Sequence, residues 1–230
     1  MYSLIHPSTN IESEFDGNEI LRKLEVFCRV CYKSEDRITL ESSKKLIEHI
    51  IQRGHMSPLE HYSISVRFIV DRGISHELVR HRMCSFSQES TRYVNYEKRG
   101  LIFIIPCWFE LQPCSVNNNN LQFCNTTYSV NIEDTINDEA LQQFLYALNY
   151  SSSAYYDLMS KHNLSPEKAR VVLPNALKTE LIMTANLREW LHVFELRTHR
   201  AAHPQMRQVM VPLLKEFQSK IPIIFDSIKV

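Results

Sequence analysis

Residues 62–92 read Y-S-I-S-V-R-F-I-V-D-R-G-I-S-H-E-L-V-R-H-R-M-C-S-F-S-Q-E-S-T-R, and the rest of the chain is organised around them. In the first half Tyr62, Ile64, Val66, Phe68 and Val70 alternate with Ser63, Ser65, Arg67 and Asp71, the period of two that marks a half-buried strand. Gly73 is expected to break that strand. Ile74 to Arg82 then reads as a short helix delivering an arginine cluster at its C-terminal end. The cluster, Arg80 to Arg92, holds three arginines, a histidine, four hydroxyl side chains and a Gln-Glu pair. Arginine stays charged at any working pH and presents a planar fork of donors that suits carboxylate or phosphate. Burying several together without counter-charge is costly, so two readings stay open: a solvated, salt-bridged turn or a grip on an anion.

The whole-chain limits narrow the choice. Lys+Arg and Asp+Glu both total 26, a formal net charge of zero, so neither nucleic acid nor a membrane surface is an expected partner. No apolar run reaches the roughly 20 residues of a membrane span. The opening M-Y-S-L-I-H-P-S-T-N lacks the pattern of a signal peptide, and a cytoplasmic protein is expected. The 230 residues suffice for one sizeable domain, 1–230. Only four glycines occur, at 17, 54, 73 and 100, so neither a dinucleotide-binding fingerprint nor a Walker loop exists. A nucleotide would have to be held by side chains, chiefly Arg and Ser, and by helix N-termini. Cys28-Arg-Val-Cys31 has redox or zinc spacing, but Ile20, Leu24, Phe27, Cys28 and Cys31 recur at helical spacing, which reads as packing. No second pair completes a zinc site, and no metal is expected.

In chain order, helices are expected over residues 19–33 and 41–53, the second stopped by Gly54. His55 to His61 is a polar turn around Pro58. Residues 93–109 are rich in aromatic and β-branched types and predict one or two strands. Residues 112–131, with Asn117 to Asn120, read as an irregular or mobile loop. A helix over 137–161, a short one from Pro166 to Val172, and a strand over 179–185 follow. Asn186 and Glu189 form a capping box for the next helix. The last helix starts near Pro204 and should kink at Pro212. Strands mixed with helices, without regular alternation, give an α+β single domain: a mixed or antiparallel sheet packed by several helices.

A second polar concentration lies on 186–203. Arg188, His192, Glu195 and His199 share one helical face, while Trp190, Val193, Phe194 and Arg197 share another. Arg197 thus projects from the apolar side, where a lone guanidinium needs an anion or polar ligand. His199 and His203 have zincin spacing, but Arg200 stands where the catalytic Glu should be.

These residues resemble a family. Arg80-His81-Arg82, seven residues and Ser90 match the R-H-R-x7-S signature of the flavin-dependent thymidylate synthases. Gly54-His55 to Glu60-His61 resembles the family's G-H-x-(S/T)-P-x-E-H turn. Ala169-Arg170-Val-Val-Leu-Pro174 resembles its A-R-x-x-L-P element, and Asn186-Leu-Arg188 with Phe194-Glu-Leu-Arg197 its N-x-R and L-R segments, in order over residues 29–212.

The resemblance implies reductive methylation of dUMP to dTMP. Methylenetetrahydrofolate would give the carbon, NADPH-reduced FAD the hydride, and no cysteine nucleophile would take part. It implies a homotetramer with sites shared between subunits. It places Ser57, Arg80, His81, Arg82, Gln88, Asn186, Leu187, Arg188 and His192 at FAD. Glu77, Leu78, Val79, Arg80, Gln88, Glu89, Ser90, Thr91, Arg92, Arg170 and Arg197 go to dUMP. Arg197 is the candidate catalytic group, activating uracil by stabilising developing negative charge. Ser90 has no evident base beside it, so it reads as a hydrogen-bonding group rather than a nucleophile. Cys84 reads as packing. This chain departs from the family at Glu77 (often Gln), Gln88 (often Glu), Thr91 (often Gly) and His192 (often Asn). Glu77 beside a phosphate would repel it, so a backbone contact is expected there. Two other readings compete: a nucleotide-binding regulatory module without flavin chemistry, and an RNA-binding protein using the arginines with Tyr93 and Tyr96. Absence of bound flavin would favour the first; net neutrality already opposes the second.

Overall fold

The computed structural model describes residues 2–12, 14–109, 111, 127–128 and 138–230. Strands β1 (Tyr2–Ile5) and β2 (Ser8–Ile11) open the chain, followed by helices α1 (Gly17–Val30) and α2 (Ser42–Gln52). Strand β3 (Ser63–Asp71), helix α3 (Arg72–Leu78) and strand β4 (Ser85–Gln88) carry the segment that set the sequence reading. Then come helix α4 (Tyr96–Arg99), strands β5 (Leu101–Ile104) and β6 (Thr127–Tyr128), and helices α5 (Glu139–Ser160) and α6 (Pro166–Ala169). Strand β7 (Lys178–Asn186) and helices α7 (Leu187–Thr198), α8 (Pro204–Lys220) and α9 (Pro222–Phe225) end it. The strands form two sheets, β5-β1-β6 and β2-β3-β7-β4. In the first, β1 runs parallel to β5 and antiparallel to β6, so the α+β class with a mixed sheet is what the chain adopts.

The chain divides into two compact units. The first comprises Met1–Ser8, Phe68–Leu78 and Ser87–Leu181; the second comprises Thr9–Arg67, Val79–Phe86 and Ile182–Val230. In the first unit α5 lays Leu141, Leu145, Leu148 and Tyr155 against Leu4, Leu101 and Phe103. Tyrosine hydroxyls tie that core to backbone: Tyr2 donates to the Leu145 carbonyl (3.3 Å), and Tyr155 accepts from the Tyr96 N–H (3.4 Å). In the second unit Trp190, Phe194, Phe217 and Phe225 are fully buried, with ring centroids 5.0–5.7 Å apart. The Trp190 indole N–H is satisfied by the Ile64 carbonyl at 3.1 Å, as a buried donor must be. Gly17 opens α1 because a Cβ there would lie 1.9 Å from the Lys220 carbonyl oxygen; no side chain fits.

Most predicted elements are present, and several corrections have identifiable causes. Strand β3 ends at Asp71, two residues before Gly73, which was expected to break it. The Asp71 carboxylate accepts the Ile74 N–H (2.8 Å), starting α3 at Arg72 with Gly73 inside it. The helix ends at Leu78, so Arg80–Arg82 sits in a turn closed by the Cys84 N–H on the His81 carbonyl (3.1 Å) rather than at a helix end. One strand forms over 93–109, within the one or two expected, and a helical turn precedes it: Asn95 caps α4 through the Glu97 and Lys98 N–H groups, and Gly100 at φ +80 leads into β5. Within α1, Ile20, Leu24 and Cys28 are buried but Phe27 and Cys31 are exposed, so the apolar stripe is narrower than expected. Gly54 does stop α2, at φ +72. Helix α8 continues through Pro212. The segment 112–131 lies outside the described residues except for β6. No helix among the described residues is long and apolar enough to cross a membrane.

Candidate active site

In the second unit, the turn after α3 and helix α7 bring together His81, Glu189, His192 and Arg197. The Arg197 Nε–H donates to His81 Nε2 at 2.9 Å. A guanidinium nitrogen can only donate, so Nε2 must carry the lone pair and Nδ1 the proton. Nδ1 lies 3.7 Å from Glu189 Oε1, and the His192 ring meets the His81 ring edge-on at 5.9 Å. Burial first, then the charges of Arg197 and His192, push the His81 pKa down to about 4, so the imidazole is neutral at physiological pH. Arg197 was expected to need a polar partner on the apolar side of its helix; a neutral imidazole is one.

The donor atoms of His81, Glu189 and His192 lie within 4.8 Å of one another, a separation a metal ion could span. Both His81 nitrogens are already committed, one to Arg197 and one as the N–H facing Glu189. The cluster as it stands is hydrogen-bonded machinery. Cys84 completes it: its thiol donates to Glu189 Oε1 (3.9 Å), and burial together with that carboxylate pushes its pKa up to about 12. A thiol so held is no nucleophile.

Beside this cluster the second unit has a cleft of about 550 Å³. Ile51, Met56, Met83, Leu191 and Ile224 give it apolar walls, while Asn186, Arg188 and His192, with the carboxylates of Glu60, Glu189 and Glu195 and with Ser227, line the polar side. Arg188 also donates to Glu60 in the 3-10 turn Ser57–His61, which carries Ser57. Arg80, Arg82, Ser57, Arg188 and His192 are exposed, Asn186 is half-buried, and Leu187 is buried. Asn186 caps α7 through the Glu189 N–H (2.9 Å), as predicted; the Glu189 carboxylate, however, is engaged with His81 and Cys84. Apolar walls suit a flat heteroaromatic ring, and Arg188 with Asn186 stands among three carboxylates on the polar side.

In the first unit, Gln88 to Arg92 is held by β7, α3 and α4. Gln88 Nε2 donates to Ser75 Oγ (2.9 Å) and Thr179 Oγ1 (3.2 Å). Glu89 accepts from Lys178 Nζ (2.9 Å), the Tyr96 hydroxyl (3.0 Å) and the Glu180 N–H (3.2 Å). Ser90 Oγ accepts the Arg92 N–H (3.3 Å), the bond of a local hydroxyl turn. Arg170 Nη1 donates to the buried Thr91 hydroxyl (3.0 Å), which gives the departure at Thr91 a use. Arg92 lies 3.6 Å from Glu167, both exposed. Glu77 is half-buried, Leu78 buried and Val79 exposed.

The predicted residues thus divide between the two units. Val79, Arg80, His81, Arg82, Arg188, His192 and Arg197 belong to the second unit; Glu77, Gln88 to Arg92 and Arg170 belong to the first. Sequence reading missed Lys178 and gave Tyr96 and Glu189 other roles, a base-stacking ring and a helix cap. Lys178 and Glu180 are two apart on β7, and that same-face pair of opposite charges was the available signal. The zincin-like His199 and His203 do not form a site. Helix α7 ends at Thr198, and each imidazole instead accepts a nearby backbone N–H, from Ala201 and Gln205.

Comparison with known proteins adds sequence and fold relationships. A family model described as thymidylate synthase complementing protein matches residues 17–223. The chain is 30% identical over 204 residues to a flavin-dependent thymidylate synthase from Geobacter sulfurreducens, covering 86% of this chain and 77% of that one. It is 29% identical over 227 residues to the enzyme of that name from Corynebacterium aurimucosum, covering 96% and 86%. Among solved structures, a UMP/dUMP methylase from Streptomyces cacaoi bound with 5-Br dUMP superposes with a TM-score of 0.73 at 23% identity, covering 97% of this chain and 95% of that one. A thymidylate synthase from Helicobacter pylori with FAD and dUMP gives 0.68 at 22%, covering 96% and 98%. At those identities the superpositions establish the fold.

Proposed function

The chain belongs to the thymidylate synthase complementing family and is a flavin-dependent thymidylate synthase; on that premise we propose that its two clusters divide the labour of making dTMP from dUMP. NADPH and methylenetetrahydrofolate are the co-substrates. The observation that carries the site assignment is the Arg197–His81 hydrogen bond, next to Glu189 and His192, two residues that line the 550 Å³ cleft.

FAD, when bound, supplies the hydride chemistry. Its holders would be Ser57, Arg80, His81, Arg82, Asn186, Leu187, Arg188 and His192, with the apolar cleft walls excluding water from the ring and the cations receiving the pyrophosphate. Gln88 belongs to this set by family resemblance as well as to the nucleotide set.

dUMP would be taken by Gln88 to Arg92 and Arg170, Glu89 acting through the segment it anchors; Gln88, Glu89 and Thr91 are held by partners in their own unit, which limits the entropy lost on binding. Glu77, Leu78, Val79 and Arg80 complete the set, Glu77 through its backbone. Arg197 has the catalytic role: its guanidinium, oriented by His81, stabilises negative charge developing on the uracil ring. His81 is suited to that task because a neutral acceptor fixes the guanidinium without cancelling its charge. Ser90 contributes a hydrogen bond.

The same reading makes 1–230 one catalytic domain that works as a homotetramer in the cytoplasm. Light scattering on the purified protein tests the assembly. The activity is tested by supplying FAD, NADPH, methylenetetrahydrofolate and dUMP; dTMP is expected. Flavin that is bound and reduced without any dTMP would overturn the reading.

A further inference from the structure

In the first unit, one buried ion pair has no place in the reaction as derived so far. Lys178 opens β7 and is only 9% exposed. Its ammonium touches two carboxylates, Glu89 Oε2 at 2.9 Å and Glu180 Oε1 at 2.8 Å. Burial alone would lower its pKa, but Glu89 and Glu180 hold it above the ordinary lysine value, so the charge is retained. A charge is kept inside a protein only with such partners.

The consequence falls on Glu89. Its carboxylate takes Lys178 and the Glu180 N–H on one oxygen and the Tyr96 hydroxyl on the other. Its own N–H donates to the Glu180 carbonyl at 2.9 Å, and its carbonyl receives Arg72 Nη1 at 3.4 Å. Every polar group of Glu89 is thus used inside the unit. The residue stands between Gln88 and Ser90, and Arg92 and Arg170 complete the neighbouring cationic set.

We propose that Lys178 is a positioning residue for the nucleotide phosphate: by neutralising and locking Glu89 it fixes the path of Gln88 to Arg92 and keeps a carboxylate pair from repelling the dianion. The proposal rests on the reading of that segment as the dUMP site. It has two physical parts. Without Lys178, Glu89 and Glu180 would face each other as like charges in a half-buried setting, and one would swing away, taking the segment with it. The same change would remove a positive charge near the phosphate arginines, so an anionic ligand would meet a more negative surface. Lys178 need not touch the nucleotide for either effect.

The experiment is dUMP titration by calorimetry on the FAD-loaded enzyme, paired with steady-state kinetics. Lys178→Met is expected to raise the dUMP Kd and KM by about tenfold or more, the scale of a lost charge-assisted contact. Saturating dUMP should restore kcat to within about threefold, since chemistry-side groups are untouched. The double variant Lys178→Met/Glu89→Gln, which removes the repulsive charge, is expected to regain affinity relative to Lys178→Met; a merely structural lysine predicts further loss instead. Should Lys178→Met fail to fold, Tyr96→Phe decides. It frees one Glu89 oxygen and should raise Kd by about threefold, the value of a neutral hydrogen bond. Wild-type affinity in whichever of these two variants folds would overturn the proposal alone. A wild-type enzyme that does not bind dUMP would overturn the functional reading, and this inference with it.

Discussion

Arg197 in the second unit rests on a neutral imidazole; Lys178 in the first rests on two carboxylates. Both are cations ordered by a hydrogen bond, but the partners differ in charge. An imidazole lone pair orients a guanidinium without bringing a neutralising charge of its own. Carboxylates orient an ammonium and cancel it. A cation meant to act on substrate is better held by His81, and a cation meant to hold the scaffold by Glu89 and Glu180. The partner's protonation state, rather than the cation itself, separates chemistry from architecture.

The largest expected effect comes from removing the cation that the neutral imidazole holds. Arg197→Ala should lower kcat by about 10²–10³-fold, the range for one preorganised donor at developing charge. Its thermal midpoint should stay near that of the wild type. Arg197→Lys should fare little better, because an ammonium cannot reproduce the fork that reaches His81. Activity retained in either variant sinks the assigned role and erases the contrast between the units.

Next in size is the aromatic core beneath α7. Trp190→Ala should destabilise the protein by about 3–5 kcal/mol, through a cavity and an orphaned Ile64 carbonyl. Denaturant unfolding measures it. A loss below about 1 kcal/mol would mean that α7, and with it Arg197, is not anchored through Trp190.

His81 sharpens the comparison through pH. It gains a proton near pH 6.5 in the unfolded chain but only near pH 4 in the fold. Between those values the unfolded state binds more protons, so this contribution to stability is complete above pH 6.5 and is lost as pH falls toward 4. Urea midpoints over that interval should fall more steeply for wild type than for His81→Gln. Equal slopes would show that His81 is not held neutral.

The smallest effect concerns reactivity. Cys84, with its thiol pushed up to about 12, should be alkylated more slowly at pH 8 than the exposed Cys31 and Cys107. Mass spectrometry of partially modified protein reads the order. Faster labelling of Cys84 would contradict its bond to Glu189.

Much of the architecture was readable from periodicity. The alternation of β3 and the helical spacing of α2, α5, α7 and α8 each commit many residues to one pattern, and those elements formed. The four-residue strands β1, β2 and β4 were not readable, because so short a run shows no period and their pairing is long-range. Residues 80–82 were misplaced at a helix end because the Asp71 cap, one side-chain hydrogen bond, moved the helix start forward. In the site, arginine content and spacing identified the cationic groups. What stayed hidden was who neutralises them: Lys178 meets Glu89 across 89 residues, and Glu189 meets Cys84 across 105. Partners that distant in sequence are joined only by the fold, so Glu189 read as a cap and Lys178 went unread.

The division of labour between the clusters is tested most directly by measuring flavin retention and dUMP affinity separately in Arg170→Ala. Arg170 lies in the first unit with its donor on Thr91. The account predicts wild-type flavin absorbance per subunit and a dUMP Kd raised by about tenfold or more, as expected for a lost arginine–phosphate contact. Loss of flavin with an unchanged dUMP Kd would contradict it.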